Sequence, residues 1–309
     1  TETTLLKLEA LEELFERKYQ QEDPGFLDLV EMYGGNRDDQ KLQNLVLSLY
    51  EFIQSKPQPA QWLEERIKDF AMEEEEFSES LWYQSLIAQL KIDLKGARDF
   101  FLEAKRIALI PGGPDGYEPI LEDDIFQVEQ LLESLEEGLG CFNTKLKNVK
   151  HKRLKPVKEV NEDLKEVSKS HREQGKNILK EIQDKLLIKS PQEFVKELND
   201  LYLPMKSLGQ LAIELGKGYA KKKQEKGILD FNDLEHYALK ILEHKEAVKE
   251  YQEKFHYIFV DEYQDSNLIQ ETIVNRIKNQ NNVFLVGDVK QSIYRFRLAD
   301  PSLFIEKYE

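Results

Sequence analysis

Cysteine, tryptophan and methionine are scarce in this chain: its 309 residues include one Cys (Cys141), two Trp and three Met. A single thiol excludes an internal disulfide framework and a zinc cluster built on cysteines. A chain with no disulfide to make suits a reducing cytoplasm. Long apolar runs are also missing; none approaches the ~20 residues that a helix needs to span a bilayer. No membrane anchor is expected, and no secretory leader is visible. Basic residues are in deficit, with 44 Lys and Arg against 59 Asp and Glu and a net charge of −15. Such a chain does not coat nucleic acid with its whole surface, so any contact of that kind needs a local patch or a partner. The five histidines have no metal-ligand spacing.

What the chain does have is charge and helical pattern. Charged residues reach 33% and apolar residues 40%, a composition that favours long solvated helices around real cores and excludes global disorder. The length allows about two domains. The chain begins at Thr1 and stops at Tyr308-Glu309 inside a helical run, and so reads as a piece of a longer protein. Leucine-rich helical spacings run over 4–20, 26–33, 38–55, 60–70, 80–109 and 121–139. Breaks fall at Asp23-Pro24-Gly25, Gly34-Gly35, Lys56 to Pro59 and Pro111 to Pro119. The run Glu73 to Glu76 fits a solvated helix end. Residues 143–158 hold seven Lys and Arg and no acid. Positions Val160, Leu164, Val167, His171, Gln174, Ile178 and Ile182 form a three-four seam of a helical hairpin or coiled-coil arm, with His171 expected to be paired. Residues 191–226 read as two helices.

The pattern changes after Gly227. Short helices over 233–242 and 245–254 precede Tyr257 to Val260, an apolar run ending in Asp261-Glu262. A helix over 267–278 leads to Val283 to Val286, which ends in Gly287-Asp288. Apolar runs without alternation predict strands buried on both faces of a parallel sheet. Such sheets bind ligands at the carboxyl ends of their strands. A strand that delivers Asp261 fits a carboxylate for magnesium in a phosphate site, with Glu262 placed to orient or deprotonate a water. Gln291, just past the second strand, is within reach of a γ-phosphate. Tyr294, Phe296 and Arg297 supply π-faces and a guanidinium of the kind on which single-stranded bases stack, although by composition alone Tyr294 and Phe296 read rather as core residues.

Asp261-Glu262-Tyr263-Gln264-Asp265 resembles motif II of the UvrD/Rep class of superfamily 1 helicases. The run from Gly287 to Arg297 resembles their motif III, and Leu229 to Leu234 resembles the "DFxDL" segment that precedes motif II. Within that class, these segments are most similar to the AddA (RexA) type of bacterial ATP-dependent helicase/nuclease. The loop 111–119 and residues 26–62 share that likeness.

The resemblance implies a mainly α chain. Residues 1–226 would be a large helical insertion domain, 1B-like, and residues 227–309 a partial RecA-like α/β motor domain, the end of 1A. It implies ATP and magnesium as cofactors. Asp261 would hold the ion of MgATP, Glu262 would activate the attacking water, Gln264 would couple the nucleotide and DNA sites, and Gln291 would sense the γ-phosphate. Tyr294, Phe296 and Arg297 would touch single-stranded DNA, with Phe296 standing where such helicases usually have Trp. Lys150, Lys152 and Arg153 would meet duplex phosphates, although a solvated or partner-facing surface is an equally open reading of that run. Implied partners are double-stranded DNA ends, single-stranded DNA and a second subunit of AddB (RexB) type, in double-strand-break repair and recombination. A UvrD/Rep helicase without nuclease, or a helical scaffold with a motor remnant, are the alternatives. No G-x-x-x-x-G-K-[ST] occurs, so the chain alone is expected neither to hydrolyse ATP nor to cut DNA.

Overall fold

The computed structural model describes residues 2–34, 38–186, 190–292 and 299–307. It is mainly helical with one small parallel sheet. Two compact units form, one from residues 71–199 and the other from 1–70 with 200–309. The expected boundary at Gly227, a division by motif rather than by packing, falls inside the second of these. Among the described residues no helix is long and apolar enough to cross a membrane.

In the first four elements, α1 (Glu2–Gln20), α2 (Pro24–Tyr33), α3 (Gln40–Ile53) and α4 (Pro59–Lys68), the breaks act as caps. Asp23 Oδ1 accepts from the Phe26 N–H at 3.0 Å, and Pro24 and Pro59 occupy first turns, where a missing N–H costs nothing.

Unit 71–199 contains α5 (Glu74–Phe77), α6 (Leu81–Ala108), α7 (Glu118–Glu136), α8 (Leu139–Lys147), α9 (Glu162–Leu186) and the start of α10 (Pro191–Lys226). The Glu73 to Glu76 run closes a capping box at the start of α5. Helix α6 buries Leu90, Leu94, Ala97, Phe101, Ala104 and Ala108 at steps of four and three. The facing seam of α9 matches the expected one only in part, with Ile182 buried and Ile178 packed against the core. Val167 is exposed and so is Gln174, whereas Ser168, Arg172, Gly175, Leu179 and Ile182 turn inward. Sequence hydrophobicity misses this register because its contacts suit small and polar groups. Ser168 Oγ donates to the Ala104 carbonyl at 2.9 Å. A Cβ on Gly175 would lie 2.8 Å from the Phe101 ring. His171 stacks on Phe100, but its Nδ1 is buried without a hydrogen-bond partner among the described residues, contrary to the expected pairing.

The basic run is held by buried charge. Asp124, fully buried, accepts from Arg172 Nε at 2.6 Å and pairs with His151 Nδ1 at 2.8 Å. Arg172 Nη2 also donates to the Lys152 carbonyl at 2.7 Å. Gln127 exchanges two hydrogen bonds with the backbone of Lys150. Residues 149–160 therefore lie as a strap without helix or strand, bonded to α7 and α9. Every third side chain, at His151, Leu154, Val157 and Val160, is partly buried, while Lys152, Arg153, Lys155 and Lys158 are exposed.

In the other unit, Leu11, Phe26, Leu42, Val46 and Ile53 pack against Leu211, Ala212 and Leu215 of α10. Residues 191–226 form one helix of 36 residues rather than two, with Pro204 inside it. Proline removes one intrahelical hydrogen bond, but buried apolar residues on both sides of it, Val195 and Leu208, hold the helical register. The last elements are α11 (Phe231–Ile241), α12 (Lys245–Lys254), β1 (Ile258–Val260), α13 (Leu268–Ile277), β2 (Val283–Leu285) and α14 (Ser302–Ile305). Strands β1 and β2 pair in parallel, with Phe259 opposite Phe284. The strands are not buried on both faces: Phe259 and Phe284 are 73% and 60% exposed. The described residues supply helices to one face of the pair only.

Removing one member of a buried ion pair leaves the other charge uncompensated, at a cost of about 3–5 kcal/mol. Asp124→Ala is therefore expected to lower the unfolding free energy of unit 71–199 by that amount and its urea midpoint in proportion, whereas alanine at the exposed Lys155 changes both little. A midpoint shift equal for the two variants would contradict the packing role of Asp124.

Candidate functional site at the strand ends

The carboxyl end of β1 carries Asp261 and Glu262, both exposed. Asp261 Oδ1 accepts from the Glu262 N–H at 3.0 Å. Glu262 has φ +51°, in the left-handed region, a conformation that costs a non-glycine residue about 1–2 kcal/mol. It turns the chain straight into a 3₁₀ turn, Tyr263–Asp265. That turn buries Tyr263 and Gln264, each 1% exposed.

Gln264 joins the two strand ends. Its Nε2 donates to Glu262 Oε2 at 2.7 Å, and its Oε1 accepts from the Asp288 N–H at 2.9 Å. A Cβ on Gly287 would lie 2.4 Å from that Oε1, so any side chain there would displace the Gln264 amide. Asp288 in turn accepts from Gln291 Nε2 at 3.1 Å and from the Lys290 N–H at 3.0 Å. These two hydrogen bonds, that of the Lys290 N–H above all, hold its carboxyl below the usual carboxylate range. Glu262, Gln264, Asp288 and Gln291 thus form one hydrogen-bonded row. Sequence reasoning included Gly287 and Asp288 in the motif III run but gave neither of them a role.

Behind the row, the Tyr263 hydroxyl donates to Glu271 on α13. Asn275 and Lys307 also donate to Glu271, at 2.6 and 2.5 Å. Burial raises the Glu271 pKa, but the Lys307, Tyr263 and Asn275 hydrogen bonds outweigh it and leave it lowered. The Asp300 N–H donates to the Ser266 carbonyl at 3.0 Å. Tyr294, Phe296 and Arg297 lie outside the described residues. Lys150, Lys152 and Arg153 belong to the strap of unit 71–199, where Lys152 pairs with Asp123 at 2.7 Å.

The donor set fits one magnesium ion shared with a nucleotide. Asp261 offers one exposed carboxylate, and among the described residues no group of three or more His, Cys, Asp or Glu could hold a metal by itself. Magnesium is commonly held by one or two carboxylates together with substrate phosphates and water.

The "DFxDL" segment starts α11. Asp230 and Asp233 form a capping box there, and Lys223 on α10 donates to both carboxylates, at 2.8 and 2.5 Å. Clefts of about 390 and 660 Å³ open beside Lys223, between α10 and its neighbours and away from the strand ends.

Residues 51–309 match the UvrD/REP helicase N-terminal domain. The chain belongs to the UvrD/REP helicase family. Among curated relatives, the A subunit of the ATP-dependent helicase/nuclease of Alkaliphilus metalliredigens is 51% identical over 309 residues, all of this chain and 26% of the relative. The proteins of the same description from Alkaliphilus oremlandii and Syntrophomonas wolfei are 52% and 48% identical, over 100% and 99% of this chain and 26% and 25% of theirs. The chain thus spans about a quarter of the length of these family members.

Burial tends to raise the pKa of Asp230, but the Lys223 ammonium and the Asp233 N–H overcome it and leave it below its ordinary value. A depressed carboxyl stabilises the fold above its unfolded pKa of about 3.9 and loses that contribution as pH falls through the folded value. The stability gap between wild type and Asp230→Asn should therefore be constant from neutral pH to about pH 5 and shrink as pH falls below that. Urea titrations near neutral pH and in acid well below the unfolded pKa test this; an equal gap at both would assign the stabilisation to packing.

Proposed function

We propose that this chain is an internal segment of an ATP-dependent DNA helicase/exonuclease subunit that unwinds and resects DNA ends in double-strand-break repair. The reading rests above all on the row from Glu262 through Gln264 to Asp288 and Gln291. It links the ends of two parallel strands, the place where open α/β sheets bind their ligands. In this reading residues 227–309 are the end of a RecA-like motor domain 1A and residues 1–226 a 1B-like insertion. ATP and magnesium are the cofactors, and a second subunit of AddB type completes the cytoplasmic enzyme. The exonuclease belongs to another part of the parent protein. The chain itself, with no phosphate-binding G-x-x-x-x-G-K-[ST] loop, hydrolyses no ATP.

The site residues take these roles. Asp261 holds the magnesium, which neutralises phosphate charge when bound. Glu262 accepts the proton of the attacking water. Its carboxylate is held by one hydrogen bond from Gln264, which fixes its direction and leaves further lone pairs for that water. Gln291 meets the γ-phosphate, and Tyr294, Phe296 and Arg297 stack on single-stranded bases. A shift of Gln291 on phosphate binding moves Asp288, and through the Gln264 amide it re-aims Glu262. Grip on the strand and hydrolysis are then biased by one element, as reciprocal coupling requires. The outward lysines and Arg153 of the strap meet duplex phosphates. Their rigid backing by Asp124 and Arg172 lowers the entropy lost on binding.

Glu262→Gln in the full-length protein should lower DNA-stimulated ATP hydrolysis by about 10²–10⁴-fold, the usual contribution of a general base, with nucleotide binding kept. Hydrolysis within a few-fold of wild type would remove Glu262 from the mechanism. Changing Lys150, Lys152 and Arg153 together to Ala should flatten the slope of log K against log salt for duplex binding by roughly 0.9 for each phosphate no longer neutralised. An unchanged slope would assign the strap to solvent or to the second protein of the complex.

A further inference from the structure

The "DFxDL" segment lies outside the catalytic roles above, yet with Lys223 it forms a buried charge cluster in unit 1–70 with 200–309, as do Lys18 with Asp23 and Glu214 and Glu271 with Lys307. Lys223 is 4% exposed. Its ammonium lies 4.3 Å from the centroid of the Tyr219 ring, and the Tyr219 hydroxyl donates to Asp230 at 3.0 Å. Asp230 and Asp233 are therefore bound twice over. They cap α11 through the Asp233 and Asp230 N–H groups, each at 2.9 Å, and they clamp α11 to α10 through one cation.

From α11 the contacts continue towards the nucleotide site. Gln270 Nε2 at the start of α13 donates to Glu235 Oε1 on α11 at 2.8 Å. Arg276 Nη1 at the other end donates to the Leu239 carbonyl at 2.8 Å. Helix α13 thus hangs on α11 at both ends. Its Glu271 accepts the hydroxyl of Tyr263, the residue next to Glu262. Of the two links to α13, the Gln270 bond is exposed and the Arg276 bond to the Leu239 carbonyl is part-buried, so the second carries position best. The Lys223 ammonium, with two carboxylates and a ring face around it, resists displacement because moving it strands a charge away from water.

We propose that Lys223 is a positioning residue for the Glu262 site: through Asp230 and Asp233 it fixes α11, and through α11 and α13 it sets where the turn after β1 holds the Glu262 carboxylate. Movement of the long helix α10 then reaches the nucleotide site through this joint. The inference rests on the helicase reading for its catalytic part only; the mechanical part concerns this chain's own contacts.

The test uses the full-length protein in complex with its partner. Two variants are compared with wild type: Lys223→Met, which removes the charge and keeps a similar stem, and Lys223→Arg, which keeps the charge. Amide hydrogen exchange over residues 262–277 reads the joint, and steady-state kinetics with duplex DNA read its consequence. In Lys223→Met, exchange over 262–277 should quicken roughly tenfold and kcat for ATP should fall roughly tenfold, with KM unchanged. Lys223→Arg should restore both. Faster exchange confined to residues 219–241, or an unchanged kcat, would overturn the proposal and leave Lys223 a local clamp. If Lys223→Met does not fold, Asp233→Asn removes one of the two carboxylates and should give the same pattern at smaller size; a wild-type pattern there would also overturn it. If the wild-type complex hydrolyses no ATP, the helicase reading fails, while the exchange data still decide the joint.

Discussion

The buried carboxamide of Gln264 is the constraint on which the strand-end site depends. One polar side chain at 1% exposure must satisfy both its ends, and it does so by giving one to Glu262 and the other to the backbone of Asp288. Three features follow from that requirement. A side chain at Gly287 would push the amide oxygen out of its place. Glu262 adopts a left-handed backbone, which sends the chain into the turn that buries Gln264. Motif III cannot move relative to motif II without breaking a buried hydrogen bond. A neutral amide suits this post better than a charge: it donates at one end and accepts at the other, and carries no Born penalty.

Both units place a charge in their interior and surround it with opposite partners. In unit 71–199 the fully buried Asp124 holds Arg172 and His151. In the other, Lys223 holds Asp230 and Asp233. Such groups add little net stability compared with apolar residues of the same shape, but they tolerate only one arrangement. Each one fixes a piece of chain that hydrophobic burial alone would leave free to slide: a basic strap in one case, the start of α11 in the other. This specificity matters most where the chain has no regular hydrogen-bond ladder, as over residues 149–160.

Much of the architecture could be read directly. The breaks at Asp23 to Gly25 and Lys56 to Pro59, the helix limits up to residue 109, the two parallel strands and the acids at their ends follow from local propensity and from the spacing of apolar residues. Three features were not legible. The seam of α9 is shifted because it is lined by Ser168, Arg172 and Gly175, types that a hydrophobic pattern skips. The helix through Pro204 continues because tertiary burial on both sides outweighs one lost hydrogen bond. The sheet faces are exposed at Phe259 and Phe284 because burial depends on what covers a strand, which a strand's own residues do not specify.

The sequence by itself determined which chemistry is available: the carboxylates, amides and aromatic residues of motifs II and III, in an order and spacing that mark the UvrD/REP family. That is local information, since each motif lies within one turn or strand end. The tertiary structure alone decided how those groups are joined. The Glu262–Gln264–Asp288–Gln291 row, the clamp of Lys223 on Asp230 and Asp233, and the burial of Asp124 under the basic strap link residues that are distant in the chain or bonded through backbone groups. No composition or period encodes such pairings; they exist only once packing has excluded water and each buried polar group has had to find its partner.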